Sequence, residues 1–182
     1  MKKLLVIMLT SLISVSAWAD FNDGVVAYMM GDYESAYNTM ISIAKTNETD
    51  PYPQYYLGVM YLKGQGVEQD YNQAATWLRK ASENRLPQAQ YKLAGLYTEG
   101  HGVPKDLEFA YVWLSVAATY KHALSMSAVP KAKAKLSDAE LADAQKLVSE
   151  YVDKYGPKPE DKSKNPHVQM DSKDSDDSGS DN

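Results

Sequence analysis

The stretches GQGVEQDYNQAATW, residues 64–77, and GHGVPKDLEFAYVW, residues 100–113, decide the fold. They set Gly64 and Gly100, Gly66 and Gly102, Val67 and Val103, Asp70 and Asp106, Ala74 and Ala110, and Trp77 and Trp113 at one offset of 36. Upstream, the same offset pairs Gln54 with Gln90, Tyr55 with Tyr91, Leu57 with Leu93 and Tyr61 with Tyr97. Downstream it pairs Leu78 with Leu114 and Ala81 with Ala117. A fixed period between 20 and 50 residues marks a solenoid or array, in which each unit buries a face against the next.

Each shared letter has a mechanical reading. Leu57 and Tyr61 stand four apart and share a face with Gln54 and Gly58, which predicts a helix packing one side inward. Gly64 follows its last turn, where a left-handed residue closes the helix and glycine takes that conformation without steric cost. Gly66 lets the chain reverse within a few residues, and Val67 reads as a small apolar plug beneath the turn. Asp70 is placed to accept the first free amides of a second helix, with Gln73 completing a capping-box pattern. There Ala74, Trp77, Leu78 and Ala81 fall at i, i+3, i+4 and i+7 as one apolar stripe. Ala74 permits close helix approach and Trp77 fills the gap between hairpins. Leu93, Tyr97, Gly100, Gly102, Asp106, Ala110 and Trp113 repeat the scheme. These positions build a scaffold.

The pattern Q-Y-x-L-G-x-x-Y-x-x-G-x-G-V-x-x-D-x-x-x-A-x-x-W-L-x-x-A resembles the Sel-1-like repeat, a relative of the tetratricopeptide repeat. The copies span 53–88 and 89–124. Ala94 stands where the first copy has Gly58, and Ser82 and Arg85 stand where alanine and glycine are usual, so a clean glycine cap on that helix is not expected. Residues 22–45 read as a divergent first hairpin, with Asp32 to Ala36 echoing Asp70 to Ala74 and Gly31 replacing the longer loop. Residues 121–155 supply capping helices: one to Lys135, interrupted or restarted at Pro130, then one opened by a capping box at Ser137 and Glu140. The last helix carries Leu141, Ala144, Leu147, Val148 and Tyr151 as its stripe. The expected fold is all-α, a short right-handed α-solenoid of hairpins with a C-terminal capping helix, its atypical end units closing the stack.

The ends differ in kind. Residues 1–19 join a cationic start, an apolar run from Leu4 to Val15 and Ala17-Trp18-Ala19, the layout of a secretory signal peptide cleaved after Ala19. That run is too short for the ~20 apolar residues of a membrane span, so no stable insertion is expected after cleavage. The expected address is the periplasm, with secretion as the alternative. The sequence has no cysteine, which removes disulfides and a lipoprotein thioether alike. Residues 157–182 hold Val168 and Met170 as their only sizeable apolar side chains and end in DSKDSDDSGSDN. Such a stretch buries too little to offset its ordering entropy and reads as a disordered, solubilising acidic tail. Between the ends, residues 20–156 carry 13 Lys and Arg against 17 Asp and Glu, a difference of −4. With no basic cluster visible, that balance argues against nucleic acid and anionic lipid as partners.

The sequence carries little chemistry. His101, His122 and His167 show no metal-ligand spacing, and neither metal nor cofactor is expected. His101 reads as an exposed loop residue and His122 as a cap at a helix junction. Ser42-Ile43-Ala44-Lys45 is an S-x-x-K, the nucleophile pattern of penicillin-recognising enzymes. No S-D-N or K-T-G element accompanies it, so a hydrolase built on Ser42 and Lys45 is the alternative reading and a non-enzyme the favoured one.

The unmatched letters point to recognition. In a helical solenoid the first helices of successive hairpins line the concave side. There Tyr56, Met60 and Lys63, with Lys92, Leu96 and Glu99 in the second copy, form a mixed aromatic, aliphatic and charged strip suited to a peptide or protein segment. The family resemblance implies an adaptor or assembly scaffold that binds another protein.

Overall fold

Six helices begin where a short polar side chain takes up free backbone amides. The computed structural model describes residues 20–158, and among these every regular element is a helix. A helix over residues 20–30 (α1) is followed by α2 (Tyr33–Thr46), α3 (Pro51–Lys63), α4 (Tyr71–Glu83) and α5 (Pro87–Glu99). Then come α6 (Leu107–Thr119), α7 (Ala123–Lys133) and α8 (Asp138–Tyr155). Asp32, Asp50, Asp70 and Asp106 cap α2, α3, α4 and α6, His122 caps α7, and Ser137 with Glu140 forms a reciprocal capping box on α8. Only α5 among these starts without a side-chain cap, on Leu86 followed by Pro87, whose missing N–H needs none.

The caps also join helices. Asp70 accepts from the amides of Asn72 and Gln73, but its own N–H donates to the Tyr61 carbonyl at 3.1 Å. The expected capping box with Gln73 is therefore only half made, because the donor it needs already ties α4 to α3. Asp106 N–H does the same to Tyr97 O at 2.9 Å. Gly64 and Gly100 close α3 and α5 in the left-handed conformation, as the spacing predicts.

Hairpins α1–α2, α3–α4 and α5–α6 stack in chain order, with α3 against α2 and α5 against α4, and α7 and α8 each close the stack by packing on α6. The central core gathers Leu78, Leu93 and Trp113; Phe21, Met40 and Leu57 form the N-terminal one, and Val112 with Ala144 the C-terminal one. Leu141, Leu147, Val148 and Tyr151 pack on the last of these, so the predicted α8 stripe is the face that docks. Between α2 and α3, Tyr37 and Tyr61 share a hydrogen bond of 2.9 Å; burial first, then that bond, pushes the Tyr61 phenol up to about 12.

The second glycine of each GxGV turn is the stacking point. Gly102 has φ +69, and a Cβ there would run into the Tyr71 carbonyl and stand 2.8 Å from Asn72 N, both in the first turn of α4. Gly66, φ +72, meets Tyr33 and Glu34 at the start of α2 in the same way. The turn of one hairpin thus rests on the backbone that opens the second helix of the hairpin before it. His101, inside the second turn, stacks on Tyr71 with ring centroids 4.6 Å apart, and its Nδ1 lies 3.0 Å from Glu99 Oε2. Gln65, in the same slot of the first turn, accepts a bond from Tyr28 Oη at 2.8 Å. The slot that reads as bare loop therefore supplies contacts between hairpins.

Two further expectations are corrected. Pro130 does not interrupt or restart its helix: α7 runs through it to Lys133. The ring lies on an exposed stretch one turn from the helix end, so water can satisfy the freed carbonyl. Trp77 and Trp113 are not equivalent. Trp113 is 2% exposed, whereas Trp77 is half-buried with Lys80 Nζ 4.6 Å over its ring. Where α4 lacks its glycine cap, Asn84 caps the helix and Arg85 takes φ 66; at the equivalent end of α6, Tyr120 caps and Lys121 takes φ 62. A side-chain-bearing residue loses ~1–2 kcal/mol in that region, and glycine's extra unfolded-state freedom offsets only ~0.5–1. Lys121 is exposed, so Lys121→Gly should stabilise the domain by ~0.5–1 kcal/mol, measured by urea unfolding. A loss of stability would show that the lysine stem packs.

The predicted signal peptide lies outside the described residues, as does the acidic tail beyond Lys158. No helix among the described residues is long and apolar enough to cross a membrane.

Candidate functional site

The structure divides the predicted recognition strip. Met60 is 0% exposed and Leu96 4%, so both belong to the packing and not to a binding face. A first helix here is covered by its own partner and by the preceding hairpin, and the face left open is narrower than helix periodicity suggests. Tyr56 is also committed: it makes edge contacts with Phe21 at 6.1 Å, Tyr28 at 5.2 Å and Tyr55 at 6.0 Å, pinning α1 to α3. Lys63 and Glu99 are exposed and Lys92 is half-buried, so three of the six positions remain available.

Around Lys92 lies a groove of ≈ 260 Å³ between α5 and α7, with α6 beneath it. Small apolar side chains make its floor: Ala94 of α5, Ala110 and Leu114 of α6, Ala128 and Ala132 of α7. Gly95 adds to the opening, since a Cβ at that position would find nothing within 4 Å. The rim is cationic. Lys92 comes from α5, Lys131 from α7 and Lys135 from just beyond it, with Thr98 and Glu99 at the end nearest His101.

The electrostatics agree with the geometry. Burial, and after it the positive charge of Lys63, holds the Lys92 ammonium below the usual lysine range. A cation so placed gains from an anion that restores the favourable charge lost to desolvation. In an apolar groove such pairing counts for more than on open surface. The groove can hold an extended, slender, acidic segment.

Sequence reasoning missed Gly95, Lys131 and Lys135. A signal existed: no Asp or Glu occurs from Phe109 to Ser137, and Lys131 and Lys135 are four apart. Summing charge over the whole domain concealed this, and the expectation of no basic cluster is corrected by the fold.

Ser42 and Lys45 both lie exposed on α2, where nothing desolvates them to support a nucleophile. His122 acts as the predicted cap, its Nδ1 accepting from Ser125 N at 3.3 Å. Among the described residues no group of three or more His, Asp or Glu side chains is placed to hold a metal ion.

Residues 54–85 and 87–119 each match the Sel1 repeat. The chain carries two Sel1 repeats. Its two repeats are α3–α4 and α5–α6, and the helices on either side are unmatched end units. Solved structures agree. One is a protective antigen present in uropathogenic Escherichia coli strains and displaying an SLR fold, similar with a TM-score of 0.72 at 26% identity over 91% of this chain and 34% of its own. The chain thus spans about a third of that antigen's length. Another is a Sel1 repeat protein from Oxalobacter formigenes, with a TM-score of 0.57 at 27% identity over 70% of this chain and 97% of its own. No curated protein matches the sequence. Sel1-repeat proteins generally act as protein-interaction adaptors.

Proposed function

We propose that this Sel1-repeat chain is a non-catalytic adaptor, exported to the periplasm, that holds an acidic segment of another protein in the groove between α5 and α7. One observation carries the reading. On a chain of net charge −5, the fold gathers Lys92, Lys131 and Lys135 around an open apolar floor. Apolar contact would supply affinity, and the lysines orientation and choice of partner. The Tyr56 end of the strip takes no part, being occupied by α1.

A photo-crosslinking residue at Thr98 should capture a defined envelope protein, while one at Asn38, exposed on α2, should not. The double change Lys131→Glu and Lys135→Glu should weaken that capture by about tenfold or more, the scale of losing one good charged contact. Circular dichroism should be unchanged, because both lysines are exposed. Equal capture from Thr98 and Asn38, or capture indifferent to the lysines, would remove the groove from the function.

A further inference from the structure

The chain leaves the fold at the N-terminal end of α5, the helix that forms one wall of the groove. The last carbonyl of α8, that of Tyr155, accepts from Tyr120 Oη at 2.9 Å and from Gln90 Nε2 at 3.2 Å. Arg85 adds a contact at 3.5 Å from its guanidinium to the Lys154 carbonyl. Gln90 directly precedes Tyr91 and Lys92, which line the groove. The chain beyond Lys158 therefore starts next to the N-terminal half of α5.

Its terminal segment suits the groove in size and charge. Residues 171–182, DSKDSDDSGSDN, hold five aspartates against one lysine, and every other residue is Ser, Gly or Asn. Such a segment is slender enough for a floor of alanines with Gly95 open beside them. Asp171 stands thirteen residues beyond Lys158. Fully extended this stretch reaches ~45 Å, and as a flexible coil it spans ~20 Å, about the length of α5 itself. The segment arrives without disturbing α8, and a tether of this kind gives an effective concentration of order millimolar. The one carboxylate at the groove, Glu99, sits at its far end beside His101 Nδ1.

We propose that residues 171–182 occupy this groove in cis, their aspartates paired with Lys92, Lys131 and Lys135, so that an acidic partner segment must displace them. The proposal rests on the groove being a polypeptide site, and it turns an acidic tail into a competitor that sets the threshold for partner binding.

The test is zero-length carbodiimide crosslinking of the full chain at low concentration, with the joined peptides read by mass spectrometry. Expected are isopeptide bonds from Lys131 or Lys135 to Asp174, Asp176 or Asp177. Their yield should be unaffected by hundredfold dilution and should fall at ~1 M salt, where the screening length drops to ~3 Å. Replacing the tail aspartates with asparagine should raise partner capture at Thr98 severalfold. Crosslinks spread evenly over Lys45, Lys80 and Lys105, or crosslinks lost on dilution, would overturn the proposal. The two readings separate cleanly. Capture at Thr98 without a tail crosslink sinks this inference and leaves the adaptor function standing. Tail crosslinks without capture at Thr98 support the inference and sink that function.

Discussion

Gly102→Ala should lower the stability of this domain by ~3–4 kcal/mol, seen as a large fall in the urea midpoint. The cost has two parts. A side chain at φ +69 is in the left-handed region, worth ~1–2 kcal/mol against it. The new methyl also overlaps the Tyr71 carbonyl, which is backbone in the first turn of α4 and cannot swing aside as a side chain would. Relief demands that one hairpin slide from the other, an overpacking cost of ~1–3 kcal/mol. Gly95→Ala is the control. It sits inside α5 with nothing within 4 Å of the added carbon, so it should gain ~0.5–1 kcal/mol from helix propensity alone. If Gly102→Ala cost less than ~1 kcal/mol, the GxGV turn would be a local reversal and not the point where repeats meet.

That contrast shows which features were legible in the sequence. The offset of 36 and the letters within it gave the hairpins, their caps and the apolar stripes, because those depend on neighbours within a few residues. Gly102 was legible as a turn residue by the same local logic. That the turn rests on Tyr71 was not, since the contact crosses from one repeat to the one before. The recognition strip failed for a related reason. Helical periodicity places Met60 and Leu96 away from the Leu57 face, but α3 and α5 each have neighbours on more than one side, and the second face is buried too. Tyr56 looked free because α1 had not been set against α3; the ring contacts with Phe21 and Tyr28 require both helices at once. Lys131 and Lys135 escaped because they stand on or just beyond α7, a helix that the period does not relate to α5: α5 is a matched unit and α7 is not.

Trp113→Ala should bring a loss of ~3–5 kcal/mol, as deletion of a buried large side chain does, and its distribution should differ from that of Gly102→Ala. Trp113 packs at 5.2 Å from the Tyr151 ring and 5.5 Å from the Tyr155 ring, so it holds α8 against the repeats. Trp77→Ala, at the equivalent position, should lose only ~1–2 kcal/mol, because that ring is half in water already. The indole N–H of Trp113 is buried with no hydrogen-bond partner among the described residues. Its removal costs nothing, so Trp113→Phe, which keeps a ring in the gap, should stay within ~1.5 kcal/mol of the parent. Hydrogen exchange would locate the damage. In Trp113→Ala the amides of α8 should lose protection before those of α3 to α5, since the α8 contacts with α6 are the ones thinned. If Trp77→Ala and Trp113→Ala cost the same, or if protection fell evenly along the stack, α8 would be no separately held cap. The chain leaving Tyr155 would then have no fixed starting point at the N-terminal end of α5.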